Sequence, residues 1–243
     1  MKKILLYLFK KLQFFNIISV DLYFKLIKIK FIIPIVRKLI YFKVMYDLEH
    51  VKVVPNHYQL TKSQVGEYNY WVTKKSLLWH LYTKVFVSPS RKEILINLEN
   101  IIHFFPKNLN YFELGCGYPT YLHSNKLKEK IKNYYGQDPN EYLVKFFSLT
   151  NVFSTFPTRG KAEVILIMGG ILKYLCKEEL TQFLAIIKNL KTKIIVVTHP
   201  FDTKILNEMM TTKQLDLSSI NSKKIEDILI KDKIYLINFD KTN

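Results

Sequence analysis

Two carboxylates, Glu113 and Asp138, stand where a folded chain could present them to one ligand. Over residues 111–117 the sequence reads Tyr-Phe-Glu-Leu-Gly-Cys-Gly, after an apolar approach that includes Ile101, Ile102, Phe104 and Phe105. This pattern predicts a buried strand that carries Glu113 to its end and then turns sharply. Gly115 and Gly117, either side of Cys116, permit a tight turn and let a ligand approach without meeting a Cβ. A helix expected to start near Pro119 turns its free N–H groups toward the same place. A second apolar stretch, residues 132–137, ends in Asp138 and Pro139. An acid about twenty residues past such a turn is positioned to accept hydrogen bonds from a ribose diol in a doubly wound sheet. A lone Gly-x-Gly is equally the mark of a plain strand-to-helix turn.

Further candidates stand at the ends of the later strands. Residues 151–157 form a short third strand with Ser154 and Thr155 at its end. The distance from Asp138 to the strand after it is short, so one helix is trimmed. That strand, residues 162–168, is the continuous apolar run of a central parallel strand and ends in Met168, Gly169 and Gly170. Tyr174 lies just beyond, either lining a site or packed in the core beside Leu172 and Leu175. Residues 193–198 form a fifth strand that empties into His199. Ligands bind at the carboxyl ends of strands in open α/β sheets, and an imidazole there is either a general base for an attacking hydroxyl or a loop histidine bonded to backbone.

The stretch departs from the dinucleotide fingerprint: Thr120 stands where a third glycine is expected, and an acid precedes the glycines. In both respects it resembles the first motif of the class I S-adenosylmethionine (SAM) dependent methyltransferases, Glu-x-Gly-x-Gly. The resemblance implies that Glu113 helps hold the methionine end of the cofactor and Asp138 the ribose. It places Gly115, Cys116, Gly117, Pro139, Ser154, Thr155, Met168 and Gly169 around SAM, with Tyr174 and His199 as candidates nearer the chemistry. Ser154 and Thr155 stand where the family has an acid or amide beside the adenine. Residues 162–175 resemble the fourth motif of the family but lack the Asn/Asp-Pro-Pro-Tyr/Phe tetrapeptide of enzymes that methylate exocyclic amines of adenine or amide nitrogens. The implied fold is a Rossmann-like, doubly wound α/β domain over residues 96–243, with a mostly parallel sheet of six or seven strands. The implied activity is methyl transfer to O or N of a small molecule or of a cell-surface glycan or lipid intermediate. The alternatives are an RNA methyltransferase and a SAM-binding protein without transfer activity.

These residues need a scaffold, and 243 residues at 49% hydrophobic can supply one core plus a helical extension. Residues 1–95 read as that extension, a basic and aromatic-rich cap in which selectivity for the acceptor would reside. Its first turns pair Ile4, Leu5, Leu8, Leu12 and Phe15 against Lys2, Lys3, Lys10 and Gln13, and lysines alternate with apolar residues again from Asp21 to Arg37 until Pro34 kinks or ends the helix. Such a segment either packs on the domain or lies on an anionic membrane through residues 1–40. No run reaches the roughly eighteen apolar residues of a spanning helix. Ser90 is expected to cap a helix over residues 91–105.

The formal charge of +17 attracts anions of any kind. Only Arg37, Arg91 and Arg159 are arginines, which disfavours a nucleic-acid partner, because the guanidinium is the better phosphate and base ligand. Cys116 and Cys176 make neither a disulfide framework nor a zinc set and suit a reducing cytoplasm, with peripheral placement at the inner membrane face the variant that residues 1–40 allow. No spacing of His, Cys, Asp and Glu argues for a metal, and nothing here bears on oligomeric state.

Overall fold

In a computed structural model of the chain the described residues are 19–49, 70–102, 105, 107–157, 162–175, 177–189, 192, 194–198, 202, 204–206 and 235–238. The amphipathic segment of residues 4–15, Cys176 and His199 lie outside them.

Among the described residues the α-helices α1 (Val20–Leu26), α2 (Ile33–Glu49) and α3 (Leu77–His80) come first, the last continuing as a π-helical turn over Leu81–Val85. Then come α4 (Pro89–Ile101), β1 (Leu109–Leu114), α5 (Asn125–Lys128), β2 (Ile131–Gln137), α6 (Glu141–Phe147), β3 (Val152–Phe153), β4 (Val164–Ile167), α7 (Lys177–Asn189), β5 (Ile194–Val197) and β6 (Tyr235–Asn238). Among the described residues six strands form one sheet in the order β3-β2-β1-β4-β5-β6. The first five are mutually parallel and β6 runs antiparallel to β5. This is the mostly parallel, Rossmann-like sheet the sequence leads one to expect, with six strands.

The sheet is covered on both faces, which is why β4 reads Val-Ile-Leu-Ile without a polar residue. Ile165 and Ile167 join Phe112, Leu114 and Phe183 of α7 on one side. Val164 and Leu166 join Tyr111 with Leu98 and Ile101 of α4 on the other. In β4 two buried residues on each side fix the register, because a slip of one residue would exchange the two faces. A separate apolar cluster of Tyr23, Val36, Ile40, Val44, Leu78 and Leu81 holds α1, α2 and α3 together.

Three local expectations are corrected by helix-end chemistry. Pro34 does not end a helix; it sits in the first turn of α2, where its missing N–H costs nothing. Likewise Pro89 occupies the first turn of α4, so the cap is Ser88, whose hydroxyl accepts from Arg91 N at 3.4 Å, and not Ser90; this helix ends at Ile101 rather than 105. After the glycine turn a 3₁₀ segment, Thr120–His123, precedes the short α5, because Ser124 opens a new helix by accepting from Leu127 N at 3.2 Å.

Asn140 ties the helical cap to the sheet. Its side chain is fully buried and caps α6 through Tyr142 N at 3.0 Å, while its amide nitrogen lies 2.9 Å from Trp71 O, 3.1 Å from Thr73 O and 2.7 Å from Ser76 Oγ. Asn140→Ala removes the α6 cap and strands those acceptors, so we expect a loss of about 2–3 kcal/mol in urea unfolding. Hydrogen exchange over residues 70–85 should rise with it; unchanged protection there would show that the cap is held by other contacts.

Candidate functional site

The glycine turn is held from beneath. Glu113, wholly buried at the end of β1, accepts from Thr120 N at 3.0 Å, Thr120 Oγ1 at 2.5 Å and Tyr134 OH at 2.6 Å. Arg91 of α4 donates to the same Thr120 hydroxyl. Thr120, where a dinucleotide site has glycine, is therefore the clasp of this turn. Burial, with Glu113 beside it, pushes the Tyr134 phenol well above its ordinary value, so it stays a donor.

Gly115 and Gly117 take positive φ, +56° and +52°, which only glycine adopts cheaply. Each is also crowded by the protein itself. A Cβ on Gly115 would come within 2.7 Å of Ile171 Cγ2, and one on Gly117 would meet the His80 imidazole and Lys84 Nζ. The expectation that a ligand approaches both α-carbons is thus replaced by side chains of the cap and of the turn after β4. Lys84, projecting from the π-helical turn, donates to Cys116 O across the elbow.

Asp138 grips the elbow from the neighbouring strand end, accepting from Gly117 N at 2.9 Å and Asn140 N at 3.0 Å. Its carboxyl is raised above the usual range, mainly by burial, the two N–H groups and Lys84 opposing the shift. Each oxygen keeps a lone pair for another donor.

Beside this elbow, where the strand order reverses between β1 and β4, lies a cavity of about 450 Å³. That is the place such a sheet binds ligands and a volume in the range of ligand pockets. Gly115, Asp138, Pro139, Met168 and Gly169 line its sheet side, with Tyr174 from the following turn. Gly169 adopts φ +110°, and a Cβ there would meet nothing within 4 Å, so backbone borders open space. Asp202 holds this turn by accepting from Ile171 N at 3.0 Å and Leu172 N at 2.9 Å.

The predicted set divides accordingly. Gly115, Asp138, Pro139, Met168, Gly169 and Tyr174 come together at the cavity. Glu113, Cys116 and Gly117 stand behind its wall, Cys116 fully buried with its thiol pushed up by burial. Ser154 and Thr155 are exposed at the end of β3; only their carbonyl groups are engaged, by Gln137 Nε2 and Tyr135 OH. His199 lies outside the described residues.

The opposite wall belongs to the cap, where the sequence places selectivity without marking individual site residues. Trp71, Trp79, His80, Lys84 and Arg91 line it. Trp71 makes edge contacts with Trp79 at 5.8 Å and Tyr174 at 5.6 Å between ring centroids. The one readable signal was Arg91, a rare arginine in a lysine-rich chain, one turn before Ile94 and Leu95 on the apolar stripe of α4.

Sheet order and a cavity at the strand-end switch point make this a Rossmann-like α/β protein with its cavity where such sheets bind ligands. No family model matches the chain, and no curated protein matches it. Among solved structures it is similar to a SAM dependent methyltransferase from Archaeoglobus fulgidus at 22% identity and TM-score 0.37, over 49% of this chain and 57% of that one. It is also similar to a putative SAM-dependent methyltransferase from Methanococcus maripaludis at 14% identity and TM-score 0.42, over 70% and 93%. A third is the N-methyltransferase NodS from Bradyrhizobium japonicum WM9, at 19% identity and TM-score 0.34, over 46% and 68%. Among the described residues no helix is long and apolar enough to cross a membrane.

Two outcomes test the geometry. Glu113→Ala leaves the Thr120 N–H, the Thr120 hydroxyl and Tyr134 OH without their acceptor and should cost on the order of 3 kcal/mol by urea unfolding. A cost under roughly 1 kcal/mol would mean the clasp is not structural. His80, whose pKa burial and then Lys84 push down to about 3, stays neutral in the folded chain. Unfolded chains take up its proton first, so folded stability declines as pH falls below the ordinary value near 6.5. Between pH 7 and pH 5 His80→Gln should lose about 1–2 kcal/mol less stability than the parent; equal losses would contradict the assignment.

Proposed function

We propose that the chain is a SAM-dependent methyltransferase whose cofactor lies in the cavity between the strand ends and the helical cap. The observation that carries this reading is Asp138 at the end of β2, on the wall of a cavity that also reaches Gly115, Met168 and Gly169. Its two oxygens are fixed by backbone N–H groups and retain capacity for the two hydroxyls of a ribose. Glu113 acts one layer down: it shapes the elbow on which the methionine end rests. Gly169 leaves room, and Met168 and Pro139 supply apolar surface for a base.

The bound cofactor supplies a sulfonium methyl as the electrophile. What the protein contributes is positioning and exclusion of water. Trp71, Trp79 and Tyr174 form an aromatic wall that keeps the cavity apolar, and Tyr174 holds its place by packing on Trp71. The acceptor is O or N of a small molecule, or of the reactive end of a glycan or lipid intermediate, because the cavity is bounded by cap and sheet together. Selection of the acceptor belongs to the cap, residues 1–95. Exposed Phe31, Ile35 and Ile29 on that cap, beside Lys28 and Lys30, give residues 28–35, the described part of the proposed membrane-contacting segment 1–40 that carries them, a surface suited to an anionic membrane.

Calorimetry with SAM, S-adenosylhomocysteine and NAD tests the cofactor. Asp138→Ala should weaken SAM by roughly 1–3 kcal/mol through loss of charge-assisted hydrogen bonds; wild-type affinity in that variant, or preference for NAD, would refute the site. Labelled SAM with fractionated extract should mark small molecules, glycans or lipids. Label confined to RNA would overturn the acceptor assignment.

A further inference from the structure

The cap side of the cavity holds three basic side chains with donor capacity to spare. His80, Lys84 and Arg91 are each more than nine-tenths buried, and all three line the cavity. Among the described residues neither Lys84 nor Arg91 forms an ion pair. Lys84 gives one bond to a neutral carbonyl, Cys116 O, and Arg91 gives one to a neutral hydroxyl, Thr120 Oγ1. Arg91 Nε and His80 Nδ1 are buried without any partner. The nearby acids balance the formal charge but not the contacts. Glu113 spends its oxygens on Thr120 and Tyr134, and Asp138 accepts from two backbone N–H groups.

A buried donor without an acceptor is costly to leave in that state, and a buried cation more so. The π-helical turn over Leu81–Val85 and the positive φ of Val87, +50°, lie between His80 and Arg91. A β-branched residue in that conformation is strained, and strain of this kind persists where a site over-determines the backbone. His80 and Lys84 both stand over Gly117, so their nitrogens share one side of the elbow. Burial lowers the proton affinity of both cations, as expected of charges that lack a counter-ion in contact.

We propose that His80, Lys84 and Arg91 form an oxyanion subsite that takes a carboxylate or a phosphate within this cavity. Resting on the cofactor reading above, the inference adds that one of the two reactants bears such a group at this wall. The oxyanion has two sources, the carboxylate of the cofactor itself or an acidic group on the acceptor.

Full-length protein, wild type and Lys84→Met, is titrated by calorimetry in three arms: inorganic phosphate alone, phosphate with saturating methylthioadenosine, and S-adenosylhomocysteine against methylthioadenosine. Loss of one charge-assisted hydrogen bond should weaken phosphate by about tenfold or more in the variant. If phosphate binds beside methylthioadenosine, and the preference for S-adenosylhomocysteine over methylthioadenosine is unchanged in Lys84→Met, the oxyanion belongs to the acceptor. If that preference drops about tenfold, the cofactor carboxylate occupies the subsite. His80→Phe, which keeps a ring against Trp71, is the second variant should Lys84→Met fail to fold, and it should weaken phosphate by roughly threefold. Unchanged binding of phosphate and of both nucleosides in a folded variant overturns the proposal. Failure of wild type to bind either nucleoside refutes the cofactor reading instead, and the phosphate-only arm still decides the subsite.

Discussion

Everything at the strand ends depends on the burial of one carboxylate. Glu113 has no exposed surface, and a buried carboxyl group is costly to keep there unless its oxygens are hydrogen-bonded. Thr120 and Tyr134 meet that demand, and in doing so they pull residue 120 back over the end of β1. The chain between them has six residues in which to reverse. Two of these must take a left-handed conformation, which is why glycines stand at 115 and 117. Asp138 then fixes the outside of the same loop through Gly117 N. The elbow is thus clamped by two acids from two adjacent strands, and only the second of them reaches the cavity.

The cap is part of this construction rather than an appendage. Arg91 braces Thr120 from α4, Lys84 spans to Cys116 O, and Asn140 ties the segment around Trp71 and Ser76 to the end of β2. Those contacts join residues 29 to 69 positions apart in sequence. The cavity exists because cap and sheet meet at the elbow and leave space over Gly169. Basic side chains brought so close to the turn make its outer surface a place for an anion, while tryptophan and tyrosine keep the remainder apolar.

Much of the sheet was legible because the information is local. β4 is an unbroken β-branched and leucine run, β1 carries an acid one residue before its end, β2 is followed directly by another, and the glycine spacing marks the turn after β1. The role of Glu113 was harder to read: an acid that serves a ligand and one that serves its own backbone carry the same letter at the same spacing. Ser154 and Thr155 follow β3 as expected, yet β3 is only two residues long and its end is exposed, so they do not reach the cavity. His80 and Lys84 escaped notice because no periodicity separates a cavity-facing base from a solvated one. Only the contact across the elbow makes that distinction.

Hydrogen exchange with and without S-adenosylhomocysteine tests the central claim, that the elbow, the end of β2 and the cap enclose one cofactor. The account predicts added protection at residues 115–117, 138–140 and 168–170 on the sheet side together with residues 71–91 of the cap. Protection confined to some other surface, or no change at saturating ligand, would contradict it.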